Sequence, residues 1–253
     1  MGAREKGWWH DFFPVFRPVF DQISRIQTNA EVRFIIKKLS LRPGSRFLDC
    51  PCGIGRHSLP LARKGIRVTG VDITPSYLEE LQAKAKRAGL KIKCVHRDMR
   101  RIDFDKEFDA AGNLGTSFGY FEKQADDLLA LKRAFNALKP GGKFLLHVVN
   151  RDWLITYFTP RGWQELDGGK LLQKRTFDYQ KSIIRSTWIF IKGGREESFQ
   201  VDLRAYSCHE IVEMFARTGF VDIEALGSET GEPVNRTRKM MFVFGTRPKD
   251  ERK

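Results

Sequence analysis

Hydrophobic positions along the chain fall into two rhythms, short β-rich runs and longer segments with apolar residues every third or fourth place. Val32, Ile35, Ile36 and Leu39 recur at helical spacing, which predicts a helix over 29–39 with Asn29 as its N-cap and Arg42-Pro43-Gly44 beyond its end. The run 46–49 ends on Asp49 and meets Gly53 and Gly55. A helical segment through Leu59 and Leu61 then reaches Lys64, where Gly65 stops it. Pro60 fits there because it lies in or near the first turn. A second β-rich run, 67–71, stops on Asp72, so 46–72 reads as one βαβ unit with a glycine turn at its first corner. Thr74-Pro75 opens the next helix, whose buried stripe is Leu78, Leu81, Ala85 and Ala88 before Gly89.

The same alternation continues. Runs 91–96 and 108–112 are the third and fourth strands. Asp126-Asp127 opens a helix with the core face Leu128, Leu131, Phe135 and Leu138, and 143–149 is the fifth strand after Pro140-Gly141-Gly142. Ser207-Cys208-His209-Glu210 is a capping-box pattern opening a helix to Arg217, and 221–226 and 240–245 supply two last strands. The predicted fold is α/β: a Rossmann-like, mostly parallel seven-stranded sheet with helices on both faces. Between its fifth strand and last helix lies an insertion, 154–206. There 170–177, 182–191 and 196–205 carry β-branched and aromatic residues around turns at 178–181 and Lys192-Gly193-Gly194, which predicts a three-stranded antiparallel meander.

Length fits one core. A chain of 253 residues with 41% hydrophobic content is expected to be one domain over 1–253. Within it, 1–40 is an N-terminal aromatic flap and helix, 41–153 with 207–248 the Rossmann-like core, and 154–206 the insertion. No apolar run approaches the ~18 residues of a membrane span, and the first residues lack a signal peptide's apolar stretch, so a cytoplasmic location without a membrane partner is expected. Cys50, Cys52, Cys94 and Cys208 show no paired metal-ligand spacing; buried reduced thiols and no metal are expected. The net charge of +14 favours polyanions or acidic substrates, but its clusters, at Lys37-Lys38, 84–87, Arg100-Arg101 and 236–239, are short and separated by acids.

Candidate chemistry sits at the corners of the sheet. Glycine at the first corner lets a ligand lie against main chain, and an acid about twenty residues on is placed to accept from ribose hydroxyls. Ser58 stands where the third glycine of a dinucleotide fingerprint would be, so a pyrophosphate is not specified. Asp49, Cys52-Gly53-Ile54-Gly55 and Asp72, in that order, resemble the class I S-adenosylmethionine-dependent methyltransferases of the small-molecule type. The resemblance covers 45–150 well and 207–247 in outline. It implies that Asp49, Gly53 and Gly55 hold the methionine part of S-adenosyl-L-methionine (leaving S-adenosyl-L-homocysteine as product) and that Asp72 holds the ribose; Ile73 is assigned to the cofactor with them. It also implies that Asp98 and Met99 lie at the adenine. Arg56 and His57 stand at a helix start, where cations are disfavoured; either a compensating anion sits there, with the methionyl carboxylate as one candidate, or Arg56 points to water.

The loop 113–121 mixes Phe118, Tyr120 and Phe121 with Gly115 and Gly119 at the ligand edge of the sheet, where cofactor and acceptor should meet. Asn113 and Leu114 are assigned to the cofactor. Trp9, Phe118, Tyr120, Asn150, Trp153 and Tyr206 are assigned to the substrate. Methyl transfer needs a base only if the acceptor must lose a proton; His10, His147 and His209 are candidates, with Tyr120 as a polar orienter. The expected activity is transfer of a methyl group to oxygen or nitrogen, with carbon as a third acceptor type, of a small molecule. An RNA or protein methyltransferase and a non-catalytic cofactor-binding module are the alternatives. Nucleic acid would then be the partner in place of a metabolite. The insertion either shapes the acceptor pocket or forms a homodimer interface.

Overall fold

The structure, a computed structural model, describes residue 12 and residues 24–166 and 168–250. Seven strands form the main sheet: β1 (Arg46–Asp49), β2 (Arg67–Asp72), β3 (Lys93–His96), β4 (Phe108–Asn113), β5 (Leu138–Val149), β10 (Val221–Leu226) and β11 (Met240–Thr246). Their order is β10-β11-β5-β4-β1-β2-β3, and β11 alone runs against its two neighbours. β1 therefore lies between β2 and β4, and the chain reverses its direction of winding there. That is the crevice where open α/β sheets bind ligands.

Alternation along the strands separates two cores. Leu48, Ala111, Phe144, Leu146, Met241 and Val243 face one side, against α4 (Gln124–Ala137) and α6 (Cys208–Thr218). Phe47, Ala110, Leu145, Phe242 and Phe244 face the other, against α1 (Arg25–Lys38) and α2 (Ser58–Arg63), while α3 (Pro75–Arg87) buries Leu78 and Leu81 beside Cys52. Strands buried on both faces are near-continuous apolar runs for this reason. α6 begins with both halves of its capping box, Ser207 and Glu210, and ends on Gly219 at φ +107°.

Several boundaries depart from the sequence pattern. α1 starts at Arg25, a turn before the expected Asn29, because Ser24 Oγ accepts the Gln27 N–H at 3.1 Å and caps it there. β5 begins at Leu138, which pairs with Phe108 and is not the last residue of the preceding helix face. The insertion holds four strands where three were expected: β6 (Arg161–Leu166), β7 (Gly169–Asp178), β8 (Ile183–Lys192) and β9 (Arg195–Arg204), in that order. β6 is an edge strand whose Trp163 opposite Leu172 is 69% exposed, so it carries little of the apolar alternation that marks a strand. Before it comes α5 (Arg151–Thr156). One face of this sheet is covered by a cluster of Phe12, Leu166, Leu171 and Val201, with Tyr120 and Trp188 against it. No described helix is long and apolar enough to cross a membrane.

Candidate cofactor and acceptor site

The first corner is built from main chain. Gly53 and Gly55 take φ of +53° and +86°, and a Cβ on Gly55 would stand 2.2 Å from Leu81 Cδ1. The Gly53 N–H donates to Asp72 Oδ2 at 2.8 Å, and the Thr74 N–H to Asp72 Oδ1 at 2.9 Å. Asp72 is thus fixed at the tip of β2 by two backbone donors, one from the loop after β1 and one from the turn after β2. Burial pushes its carboxyl up, and those donors work against the rise. Each oxygen keeps acceptor capacity for a further donor, such as a diol in the crevice. Asp49 lies beneath the loop, 1% exposed, with Ser58 Oγ donating to Oδ2 at 2.5 Å; burial raises its carboxyl against His57 and Ser58. It supports the turn from below and is outside the cavity lining.

Above this corner opens a cavity of about 890 Å³, at the upper end of the range for small-molecule sites. Among the described residues its walls include Pro51 to Arg56, Asp72, Ile73, Asp98, Met99, Leu114, Ser117, Tyr120 and Phe121, with Arg25, Thr28 and Asn29 of α1 opposite. Eight of the ten residues assigned to the cofactor from the sequence meet here; Asp49 and Asn113 do not. Asn113 is buried with its Nδ2 3.5 Å from Met99 Sδ, so it packs under the site. Asp98 caps the turn Met99–Arg101, accepting the Arg100 N–H at 2.8 Å and Arg100 Nη2 at 2.6 Å. Burial acts to raise its carboxyl, but the Arg100 bonds hold it below the usual range. Much of the acceptor capacity expected for an adenine amine is therefore spent on Arg100.

The cations at the start of α2 have an anion from within the chain. Glu31 of α1, 2% exposed, takes the Arg56 guanidinium and, at 2.7 Å, His57 Nε2. Burial acts to raise Glu31, yet the His57 hydrogen bond and the Arg56 charge hold it at about 2. The sequence reading passed over Glu31. Its signal was position: Glu31 and Ile35 are one turn apart and share the buried face of α1. His147, behind this cluster, stacks on Phe242 at 4.2 Å, and burial lowers it to about 3; it is a neutral core residue and not a base. His209 sits in the first turn of α6, outside the cavity lining.

The loop after β4 is clamped from two sides. The Gly119 N–H donates to Asp127 Oδ1 at 3.1 Å, and the Arg204 N–H donates to Gly119 O at 2.8 Å. Gly119 has φ +96°, and a Cβ there would lie 2.3 Å from the Arg204 carbonyl oxygen. Tyr206 donates its hydroxyl to Asp127 Oδ2 at 2.7 Å and packs on Phe118, ring centroids 5.5 Å apart. Burial pushes fully enclosed Asp127 up to about 6 against these two bonds. Phe118 and Tyr206 are thereby turned into the core beneath the loop, away from the cavity where the sequence put them.

Two more assigned residues lie elsewhere. Asn150 is 0% exposed: it caps α5 and donates to the carbonyls of Asn235 and Arg238 at 2.8 and 2.9 Å. Trp153 packs on Tyr157 with Lys239 over its ring, outside the cavity. Tyr120 does line the cavity, and burial pushes its phenol up to about 12. Trp9 and His10 fall outside the described residues. Among the described residues no group of three or more His, Cys, Asp or Glu side chains is placed to hold a metal, and the four cysteines are free thiols.

A doubly wound sheet with a glycine turn and a backbone-fixed acid at its switch point defines a nucleoside-binding α/β protein. Residues 47–142 match a family model described as a methyltransferase domain. The chain is 30% identical over 187 residues to the putative methyltransferase YqeM of Bacillus subtilis, spanning 72% of this chain and 75% of that protein. An S-adenosylmethionine-dependent methyltransferase from Clostridium acetobutylicum shares the fold with a TM-score of 0.80 at 17% identity, over 95% of this chain and 99% of that one. The sugar N-methyltransferase KedS8 from Streptoalloteichus does so with a TM-score of 0.68 at 19% identity, over 94% and 93%. This chain belongs to the class I S-adenosylmethionine-dependent methyltransferases. The cavity fits that cofactor: its glycine cradle leaves main chain bare, and its donor and acceptor groups suit a nucleoside joined to an amino acid.

Proposed function

We propose that this enzyme moves the methyl group of S-adenosylmethionine to an oxygen or nitrogen of a small molecule by in-line displacement. The observation that carries the reading is the continuity of one cavity from Asp72 and the glycine loop to Tyr120 on the loop after β4. In it Asp72 accepts from the ribose hydroxyls, Gly53 and Gly55 lie against the methionyl chain, and Ile73 and Met99 cover the adenine beside Asp98. Arg56 takes the carboxylate, and Leu114 borders the sulfonium. The bound cofactor supplies a methyl group that is already activated. The chain's share is to hold an acceptor atom ~3 to 3.5 Å behind that carbon, an orientation effect of roughly 7 to 11 kcal/mol. Tyr120, with its phenol pushed up to about 12, keeps its proton and orients the acceptor by hydrogen bonding; it does not serve as a base. That KedS8, which has the same fold, is a sugar N-methyltransferase supports an acceptor of that size.

One observation favours RNA as a second reading. Among the described residues, Arg25, Arg56, Arg63, Lys84, Arg87 and Arg97 line this cavity, with Asp72 and Asp98 as its acids. The small-molecule reading stands first because these arginines and the lysine are spread along the cavity and three of them already have acidic partners, Glu31, Glu80 and Asp103. A homodimer through the insertion, carried by exposed Trp163 and Leu172, completes the reading and is checked by sedimentation. The deciding experiment follows radiolabelled methyl from S-adenosylmethionine into a fractionated cell extract. Label in the low-mass fraction supports a metabolite; label sensitive to ribonuclease or protease replaces it with the macromolecule concerned.

A further inference from the structure

Glu31 is held on three sides. Oε1 accepts Gln27 Nε2 at 3.1 Å, while Oε2 takes His57 Nε2 at 2.7 Å and the Arg56 Nη1. Holding α1 against α2 does not require this: Val32, Ile35 and Leu61 already share an apolar cluster there. A buried carboxylate is a costly staple where apolar contact is at hand. What the carboxylate adds is direction. Arg56 meets Glu31 through Nη1, and its Nη2 stands 3.6 Å from where a Cβ on Gly115 would be. The guanidinium therefore bridges from the glycine loop to the loop after β4, with Arg56, His57 and Gly115 all in the cavity wall.

We propose that Glu31 is a positioning residue: anchored by Gln27 and His57, it aims Arg56 at the carboxylate of the cofactor's methionyl group and so selects ligands that carry an amino-acid end. This rests on the reading of the cavity as the S-adenosylmethionine site and specifies how one end of that ligand is chosen. An arginine with four rotatable side-chain bonds, partly exposed at 20%, has many other places to be. Pinning one nitrogen of a planar fork to a fixed anion leaves the other nitrogens in a defined direction, the arrangement that suits two-point recognition of a carboxylate.

The test needs no knowledge of the acceptor. S-adenosylhomocysteine and 5′-methylthioadenosine, which lacks the amino-acid portion, are titrated calorimetrically into wild type, Glu31→Gln and Arg56→Gln. Wild type is expected to prefer S-adenosylhomocysteine. Each variant should lose about tenfold or more of that ligand's affinity while binding methylthioadenosine within about twofold of wild type, so that the preference collapses. Retained methylthioadenosine binding also reports a folded site. The proposal is overturned if Glu31→Gln weakens both ligands alike, as loss of a cavity wall would, or if it leaves the preference intact. Tighter S-adenosylhomocysteine binding by Glu31→Gln would overturn it too, by making Glu31 a competitor of the ligand. Should Glu31→Gln fail to fold, an unchanged preference in Arg56→Gln overturns it alone. Wild type that binds neither nucleoside removes the cofactor site itself, and the role of Glu31 with it.

Discussion

The two rims of the cavity are held in different ways. On the β1–β2 side, Asp72 is fixed by the N–H groups of Gly53, 19 residues away, and Thr74, two away. Asp72 and both of its donors lie within 53–74, and those donors are main-chain atoms. On the β4–β5 side, the loop is held by Asp127, by Tyr206, which lies 79 residues further on, and by the backbone of Arg204. Its fixed points are the side chains of Asp127 and Tyr206 and the main chain of Arg204, gathered from a helix and from the far end of the insertion. A rim built from local main chain can accept many sequences and keep one ligand. A rim held by distant groups changes shape when any contributor changes.

The comparison breaks most visibly at two glycines. Alanine at Gly119 would drive a Cβ into the Arg204 carbonyl at 2.3 Å from a φ of +96°, and neither backbone can yield without opening the clamp. We expect a loss of roughly 3 to 5 kcal/mol of stability. Alanine at Gly55 meets side chains and no backbone, Leu81 Cδ1 at 2.2 Å with Leu81 Cγ and Leu59 Cγ at 3.3 and 3.4 Å, so side-chain adjustment and strain at φ +86° set the loss at about 1 to 3 kcal/mol. Denaturant unfolding of the two variants gives the order; a larger loss at Gly55 would show that the main-chain rim is the more tightly built.

The next effect is electrostatic and is read at Asp127, on the β4–β5 rim. Asp127, raised from 3.8 to about 6 by burial against its Tyr206 and Gly119 bonds, binds its proton more tightly folded than unfolded. Its favourable contribution is full below pH 3.8 and is lost as pH rises to about 6, a change of roughly 3 kcal/mol. Asp127→Asn lacks this loss. Its melting temperature relative to wild type should therefore rise by several degrees between pH 4 and pH 7. Parallel curves for the two proteins would mean that Asp127 does not titrate in that window.

The difference between the rims also explains what could be read along the chain. The positions of the seven main-sheet strands along the chain, the glycine corner and the acid closing β2 are visible because each depends on neighbours in sequence. Phe118, Tyr206 and Asn150 were misplaced because they stand at the ligand edge by sequence position, yet their partners lie elsewhere: Asp127 holds Tyr206, and the carbonyls of Asn235 and Arg238 hold Asn150. Edge strand β6 was missed because its outward residues, Trp163 among them, are not divided cleanly into apolar and polar. Glu31 was missed for the opposite reason. A charged residue on a helix suggests a solvated face until the cations of α2 are brought against it.

The central claim is that a carboxylate fixed by main chain holds the nucleoside. Calorimetric titration of S-adenosylhomocysteine into wild type and Asp72→Ala tests it most directly. The account predicts a single site in wild type, weakened by roughly 1.5 to 3 kcal/mol in the variant through loss of hydrogen bonds to a charged group. Equal affinity in the two proteins would contradict it and place the cofactor's ribose elsewhere in the cavity.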